Sequence, residues 1–323
     1  MAQGVKIVAS SHYVPEDIVT NDDLATIMDT NDEWIQTHTG IKTRHVSLQG
    51  ENTSDLATKA AQQAFEQTLL TPDDIDLIIV TTFTPDGLAP STAALVQRNL
   101  QAKKAWAYDI STACAGFVFG LSTADKFLKA NAAKYALVIS AEVNSKMMDF
   151  NDRTSAVFFG DGAAAFILEA SSDSLVVAEQ MHTIGNSKVV HSGLIAPLNE
   201  ISANNYPKTT AFHQEGRQVF SEVERLIPAH INDLLQQNNL TPDDIDYFIP
   251  HQANLRIIEM LAKKLNQPMS KFVTNVTKYG NTSSAGIAMA LDELRHQVPL
   301  KDKKVLLTGF GAGFTYGSLL CQF

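Results

Sequence analysis

Hydrophobic positions along the chain follow two alternating patterns. In one, apolar side chains recur every three or four residues, as at Leu56, Ala60 and Ala64, which is the spacing of one face of a helix. In the other, a short apolar run rich in β-branched residues is bounded by turn-forming residues, which is typical of a strand. The alternation of the two patterns indicates an α/β architecture with mostly parallel central strands.

The patterns place individual elements. Helices are predicted around 56–65, 117–128, 217–238, 252–265 and 284–297, with a kink at Pro228. Strands are predicted for a short N-terminal segment and for 76–82, 104–110, 134–140, 162–168, 245–250, 270–276, 303–309 and 314–322.

The chain carries an internal repeat at a shift of 170 residues. The hexamer Thr-Pro-Asp-Asp-Ile-Asp occupies 71–76 and returns at 241–246, each time ahead of an apolar run. The same shift aligns two further pairs of segments: Ala115-Gly116 with Ala285-Gly286, and 135–140 with 305–310. We therefore predict two pseudo-symmetric halves, 1–171 and 172–323, in a layered sandwich. Catalytic groups are expected where strand ends and helix starts of both halves meet.

Composition narrows the class of protein. The 323 residues are 45% hydrophobic and carry a formal net charge of −10, which argues against general nucleic-acid binding. No apolar run approaches the roughly 18 residues of a membrane helix, and the N-terminus lacks the pattern of a signal peptide. We expect a cytoplasmic enzyme with neither a membrane nor a nucleic acid as its partner.

Cys114 is the candidate nucleophile. It lies in Ser-Thr-Ala-Cys-Ala-Gly, after a predicted strand and at the start of an amphipathic helix, where the helix dipole favours a thiolate. The alternative is a buried core cysteine, the commoner fate of a lone thiol and the one predicted for Cys321. The two cysteines lack the spacing of a zinc site or a disulfide framework, so no metal is expected.

His251 and Asn281 also follow predicted strands at points where helices are expected. Each has a simpler interpretation, as a loop or helix-capping residue. Because the repeat brings such junctions together, the three residues point jointly to catalysis. A Cys/His pair also fits a hydrolase, although no protease-type signature surrounds Cys114. The glycine-rich segment 309–317 does not match the GxGxxG motif of dinucleotide-binding proteins. Its backbone N–H groups could instead stabilise an oxyanion.

Several of these segments resemble β-ketoacyl-acyl carrier protein synthase III, the initiating condensing enzyme of bacterial type II fatty acid synthesis. The motifs run from end to end: NDDLATIMDTNDEWIQTHTGIKTRH, DISTACAGFVFGL, DRTSAVFFGDGAAA, PHQANLRIIEMLAKKL, YGNTSSAGIAMAL and GFGAGFTYGS. The resemblance implies the thiolase fold, an αβαβα sandwich of two similar halves, and a cytoplasmic homodimer.

The resemblance also implies a mechanism. Cys114 would take the acyl group from an acyl-CoA primer, and malonyl-acyl carrier protein would then lose CO2 and attack the thioester. The backbone N–H groups of Cys114 and Ala312 would form the oxyanion hole, while His251 and Asn281 would donate hydrogen bonds to the enolate oxygen. No cofactor is needed beyond the two substrates.

Binding positions follow in the same way. The resemblance assigns the primer CoA to Thr30, Trp34, Arg153, Gly216, Phe220 and Asn254, with Trp34 stacking on the adenine. Carrier proteins are acidic, as this chain is, so docking requires a local basic face. The residues predicted for docking are Gln252, Ala253, Asn254, Leu255, Arg256, Lys263 and Lys264, although a basic stripe of this kind is usually only a solvated helix face.

Two positions depart from the family pattern. His38 replaces an arginine that some members use near the CoA phosphates, which predicts a weaker or pH-dependent contact. Ala89 occupies a position where some members carry a phenylalanine, and that phenylalanine forms the base of the acyl pocket in the dimer partner. We expect Ala89 to admit primers longer or bulkier than acetyl.

Three other functions remain open at this stage. They are a related condensing enzyme of secondary metabolism or one using CoA in place of the carrier protein, a hydrolase of the same fold, and a catalytically silent dimerisation subunit.

Overall fold

A computed structural model describes residues 4–195 and 209–323. The strands within these residues are β1 (Gly4–Tyr13), β2 (Ile18–Thr20), β3 (Thr43–His45), β4 (Leu77–Thr81), β5 (Trp106–Ile110), β6 (Tyr135–Glu142), β7 (Gly162–Ser171), β8 (Val176–Asn186), β9 (Val190–His191), β10 (His213–Gln214), β11 (Tyr247–Pro250), β12 (Lys304–Gly311) and β13 (Gly313–Gln322). The α-helices are α1 (Asn21–Ala25), α2 (Asp32–Thr39), α3 (Thr53–Phe65), α4 (Thr92–Leu100), α5 (Gly116–Lys129), α6 (Gly216–Gln237), α7 (Leu255–Lys264), α8 (Val276–Tyr279) and α9 (Ala285–Gln297).

Two main sheets repeat one strand order. The first runs β1-β7-β6-β4-β5, and the second runs β8-β13-β12-β11. In each sheet the pairs at the β4 or β11 end are parallel and the remaining pairs are antiparallel. The sheets are therefore mixed, where mostly parallel central strands were predicted. In the second sheet the cause is local, because Ala312 alone connects β12 to β13 and so short a link permits only an antiparallel return.

Helices and sheets stack in five layers. The helices α5 and α9 lie between the two sheets and share an apolar core with both. The helices α3 and α4 cover the outer face of the first sheet, and α6 and α7 cover that of the second. This arrangement confirms the predicted αβαβα sandwich of the thiolase fold.

The repeated hexamer forms the same turn in both halves. Thr71 and Thr241 each bind the carboxylate three residues later, and each turn leads into a parallel strand. Further along the chain, the second copy of the repeat is one residue shorter than the first. The Asp76 N–H donates to the carbonyl of Tyr135, whereas the equivalent Asp246 N–H donates to the carbonyl of Lys304 and not to that of Val305. The alignment of 135–140 with 305–310 was therefore one residue out.

Other element predictions also need correction. The predicted strand at 270–276 is wrong: Phe272 makes a single bridge to Phe248, and the Asn275 N–H donates to the Gln252 side chain instead of a neighbouring strand. Strand β8 was not predicted, because it is an edge strand whose residues are mostly part-exposed and carry little alternation. The helix predicted from residue 252 begins at Leu255, since Asn254 Oδ1 caps it by accepting from the Ile257 N–H.

The remaining predictions concern the chain as a whole. Pro228 lies inside α6, and the kink predicted there stays a prediction. The division into 1–171 and 172–323 stays a prediction, with β7 ending at Ser171 and β8 beginning at Val176. Over the residues described, no helix is both long enough and apolar enough to cross a membrane.

Candidate active site

Cys114 lies in a single 3-10 turn, Ala113–Ala115, that joins β5 to α5. Ala113 has a φ of 47°, a left-handed backbone conformation that is costly for any residue other than glycine. Strand β12 of the second half passes directly behind this turn. A Cβ placed on Gly311 would lie 2.7 Å from the backbone nitrogen of Cys114, so only glycine permits this approach. The two halves are therefore in close contact at the thiol.

His251 and Asn281 reach the same place from the second half. The His251 N–H donates to the Thr308 carbonyl at 2.8 Å, which holds the residue at the end of β11, and its ring meets Phe310 edge-on at 5.1 Å. Asn281 Oδ1 accepts the Ser283 N–H at 2.8 Å. Because the amide oxygen of Asn281 is occupied, its NH2 group remains as the donor.

One pocket brings the predicted catalytic residues together. Cys114, His251, Asn281 and Ala312 all line it. Its apolar wall, which sequence reasoning missed, consists of Phe159, Val190, Phe212, Val219, Val223, Phe310 and Phe314. These residues come from distant segments, and only Phe159, Phe310 and Phe314 stood in a motif. The pocket presents a thiol, hydrogen-bond donors and an apolar wall. This combination suits a thioester that carries an acyl chain.

Burial dominates the protonation of both titratable residues. It raises the pKa of the Cys114 thiol to about 12, against the hydrogen bond from Ser283, which lowers it. The thiolate favoured by helix position alone is therefore not the resting form. Burial lowers the pKa of His251 to about 3, so its imidazole is neutral at physiological pH. A neutral imidazole can donate one hydrogen bond without bringing a charge into the site.

A buried carboxyl group connects the two halves beside the pocket. Glu142 accepts hydrogen bonds from Thr82 and Thr84 in its own half and from Ser284 in the other. Burial raises its pKa to about 7. Sequence reasoning missed Glu142, although an acidic residue at the end of an otherwise apolar strand is a recognisable signal, because a buried charge requires partners.

Three of the predicted CoA positions lie together. The Arg153 guanidinium sits over the Trp34 ring at 5.2 Å and donates to the carbonyl of Asp29, the residue before Thr30. The His38 ring also stacks on Trp34, with the two ring centroids 4.4 Å apart.

The other CoA positions lie at helix starts. Gly216 is the first residue of α6 and is exposed, and Phe220 is part-buried one turn further on. Asn254 is the N-cap of α7.

Ala89 is exposed on a loop and does not line the pocket of its own chain. The base of this loop is fixed, since Ser54 binds the Asp86 carboxylate and Lys146 Nζ donates to the Pro85 carbonyl at 2.9 Å. Its tip projects outward, with Leu88 84% exposed.

The predicted docking stripe is largely occupied by internal contacts. The Gln252 side chain is fully buried and binds the Pro250 carbonyl, so it is unable to meet a partner. Arg256 holds two carbonyls at the end of α2 and pairs with Glu259 at 2.9 Å. Lys264 pairs with Glu224 at 3.0 Å, which leaves Lys263 as the exposed cation of the stripe.

No metal centre competes with this interpretation in the described ranges. Within residues 4–195 and 209–323, no group of three or more His, Cys, Asp and Glu side chains is placed to hold a metal ion.

Comparison with known proteins identifies the family. The family model described as 3-oxoacyl-(acyl-carrier-protein) synthase III matches residues 108–185, and the model of its C-terminal part matches 235–323. The β-ketoacyl-(acyl-carrier-protein) synthase III 1 of Lactiplantibacillus plantarum is 54% identical over 98% of both chains.

Solved structures agree with the sequence comparison. The 3-oxoacyl-(acyl-carrier-protein) synthase III of Aquifex aeolicus is 40% identical with a TM-score of 0.90, covering 99% of this chain and 100% of that one. The priming β-ketosynthase of the R1128 polyketide pathway is 30% identical with a TM-score of 0.89, covering 99% and 97%. The fold and pocket define a condensing acyltransferase of the thiolase fold. Within that class, the chain belongs to the 3-oxoacyl-(acyl-carrier-protein) synthase III family.

The depressed pKa of His251 predicts a specific acid sensitivity. The unfolded chain binds this proton near pH 6.5 and the folded chain only near pH 3, so the unfolded state holds more protons between these values. The free energy of unfolding therefore falls as the pH is lowered from about 6.5 toward 3. In urea titrations across this range, His251→Gln should reduce the slope by up to about 1.4 kcal/mol per pH unit.

An unchanged slope in His251→Gln would show that the histidine is not held neutral by the fold.

Proposed function

We propose that this protein catalyses the decarboxylative condensation of an acyl-CoA primer with malonyl-acyl carrier protein. The products are a 3-oxoacyl-acyl carrier protein, CoA and CO2, and the reaction initiates fatty acid synthesis. The observation that carries the proposal is the single pocket lined by Cys114, His251 and Asn281 in a chain of this family.

The first half-reaction transfers the acyl group to Cys114. The sulfur attacks the thioester carbonyl, the carbon–sulfur bond to CoA breaks, and the thiol proton leaves on CoA. The tetrahedral oxyanion would be held by the backbone N–H groups of Cys114 and Ala312. Their placement supports this role, because Ala312 lines the pocket and follows the glycine that packs against the Cys114 backbone.

The second half-reaction forms the new carbon–carbon bond. Loss of CO2 from the malonyl group leaves an electron pair on carbon, which attacks the carbonyl carbon of the Cys114 thioester. The carbon–sulfur bond to Cys114 breaks, and the thiolate takes up one proton from water to restore the thiol. Decarboxylation requires no base, but it places negative charge on the malonyl thioester oxygen. Neutral His251 and the amide NH2 of Asn281 would donate to that oxygen, and each such donor typically contributes roughly 10²–10³ in rate. The two substrates and one proton from water supply all the atoms of the products, and no cofactor takes part.

The primer CoA would lie along the pocket mouth. Trp34 and Arg153 offer an aromatic face and a cation for the nucleotide end, with Thr30 beside them. Gly216, Phe220 and Asn254 would line the channel that leads to the thiol. Because His38 already stacks on Trp34, its charge state would influence this contact.

We also propose a cytoplasmic homodimer. Strand β5 lies at the edge of its sheet, and an unpaired edge invites pairing with another strand. Trp106 at the start of this strand is 42% exposed. Leu88, in the loop that precedes α4 and β5 in the chain, is 84% exposed. Both cysteines are free thiols, which suits a reducing compartment.

Carrier-protein docking would centre on the start of α7. Ala253 lines the pocket, so the segment from Ala253 to Arg256 borders the entrance. The exposed amine of Lys263 is available to an acidic partner, and Lys264 would contribute once its pair with Glu224 is exchanged. Arg217 in the first turn of α6 is also exposed and extends the basic character of this rim.

Intact-protein mass spectrometry tests the main proposal. After mixing with acetyl-, branched and longer acyl-CoAs, the wild type should gain the mass of one acyl group, and Cys114→Ala should gain none. Adding malonyl-acyl carrier protein should then remove the acyl group and give the 3-oxoacyl product. CoA release without an adduct or product would favour a hydrolase, no reaction a silent subunit, and condensation with malonyl-CoA alone a CoA-dependent relative.

Primer preference tests the role of Ala89. In a homodimer, Ala89→Phe should fill the base of the partner's pocket and lower kcat/KM for branched or longer acyl-CoAs about tenfold or more, with acetyl-CoA little affected. Ala89→Ser, which adds almost no volume, is the matched control. Sedimentation analysis should show a dimer for all three proteins, and an unchanged preference in the phenylalanine variant would remove Ala89 from the acyl pocket.

Charge reversal tests the docking surface. Lys263→Glu should raise the KM for malonyl-acyl carrier protein about threefold to tenfold and weaken its dependence on salt, because a rim cation acts mainly on encounter. Lys301→Glu makes the same charge change at an exposed lysine ahead of β12, outside α7 and outside the pocket lining, and no effect on KM is expected. Equal effects of the two variants would contradict a docking site on α7.

A further inference from the structure

The sulfur of Cys114 has a partner that the proposed mechanism does not use. Ser283 Oγ lies 3.1 Å from Cys114 Sγ, within hydrogen-bond distance for sulfur. Among the described residues, Ser283 Oγ is the side-chain polar atom that forms a hydrogen bond with this sulfur. The contact crosses from the second half of the fold to the first, so it exists only when the halves are assembled.

The direction of this hydrogen bond depends on the state of the sulfur. Beside a thiol, either group is able to donate. A thiolate has no proton, so the serine hydroxyl must be the donor, and a hydrogen bond to a charged acceptor is about twice as strong as a neutral one. The contact therefore favours the charged, nucleophilic form.

Other support for a thiolate is scarce in this pocket. Burial raises the pKa of Cys114 to about 12, and the nearby Glu142 carboxyl acts in the same direction. His251 provides no imidazolium to pair with the sulfur, because burial keeps it neutral. The Ser283 hydroxyl and the backbone N–H of Cys114 itself are thus the groups that oppose desolvation.

Ser283 is held rigidly against the sulfur. Its φ of 52° is in the left-handed region, which a serine adopts only when its surroundings impose it. Its N–H is fixed by Asn281 Oδ1 at 2.8 Å. The next residue, Ser284, is anchored to Glu142 at 2.6 Å and to the Thr81 carbonyl at 3.1 Å. The strained backbone is therefore pinned on both sides, and its hydroxyl has one principal partner.

We propose that Ser283 is a catalytic residue of the acyl-transfer step, donating a hydrogen bond from its hydroxyl to the Cys114 sulfur as the thiolate forms. The inference rests on the proposed role of Cys114 as the acyl acceptor. In the step itself, the sulfur forms a bond to the acyl carbon, the bond to the CoA sulfur breaks, and the thiol proton ends on CoA. Ser283 keeps its own proton throughout and loses its charged acceptor once the thioester has formed.

The test compares the pH dependence of Cys114 alkylation by iodoacetamide, followed by intact mass, in the wild type, Ser283→Gly and Ser283→Ala. Losing a hydrogen bond to a charged group should slow alkylation at pH 7 about 10- to 100-fold and raise the midpoint of the pH profile by about one pH unit or more. Glycine adopts a positive φ freely, so the glycine variant removes the hydroxyl without adding strain. Cys321 is fully buried and should not be labelled.

Two further readouts separate this role from a structural one. Acylation by acyl-CoA should slow in parallel with alkylation, whereas decarboxylation of a malonyl thioester should stay within about threefold, because the Ser283 N–H still holds Asn281. Thr282→Val, a loss of a hydroxyl one residue away, is the matched control and should not raise the alkylation midpoint, because the Thr282 hydroxyl has no hydrogen-bond partner among the described residues.

The possible outcomes are distinct. If the wild type is acylated but both Ser283 variants keep its alkylation profile, the assignment of Ser283 is overturned. If the wild type accepts no acyl group from any acyl-CoA, the proposed function itself fails, whatever the alkylation profiles show.

Discussion

The close approach of β12 to the Cys114 turn is the contact on which the site depends. Glycine at 309 and 311 lets the backbone of one half lie against the backbone of the other; a Cβ on Gly309 would come within 2.8 Å of the Ala115 Cα. The same strand ends at the residue before Ala312, so the tight packing also brings Ala312 to the pocket that Cys114 lines. Because the central helices α5 and α9 are packed between both sheets, this seam has little freedom to open.

Dryness is the second property shared by the whole site. Desolvation opposes the Cys114 thiolate and the protonated form of His251, and it also raises the pKa of Glu142. A dry pocket therefore makes the first half-reaction harder. It benefits the second, since neutral donors act on a developing oxyanion more strongly where water is excluded. The two half-reactions place opposite demands on one environment, and hydrogen bonds directed at the sulfur meet the first demand locally.

Local sequence signals were sufficient for most elements and for the junctions that carry Cys114, His251 and Asn281. The repeat anticipated the layered fold because its hexamer closes the same turn twice through the same threonine–aspartate contacts. What local patterns missed depends on distant partners. The Asn275 N–H bonds to Gln252 and so ends a stretch that otherwise resembles a strand, while the one-residue offset of the repeat is visible only in strand pairing. The apolar wall around Phe159 and Phe212 is assembled from separate segments. Gln252 was predicted for docking, but its side chain is buried against the Pro250 carbonyl.

The edges of the two sheets differ in a way that divides the chemical work. In the first half, β5 completes the sheet and leads directly to the nucleophile. In the second half, the same position retains only the bridge at Phe272, after which the chain turns into α8 and arrives at Asn281. The side chains of a paired strand alternate between the two faces of the sheet, whereas a segment that is not paired can direct its side chains differently. A duplicated scaffold kept strictly identical would present two copies of one reactive group. Because the second half gives up this strand, the site is chemically asymmetric: the first half presents a thiol to the pocket, and the second presents an imidazole and an amide.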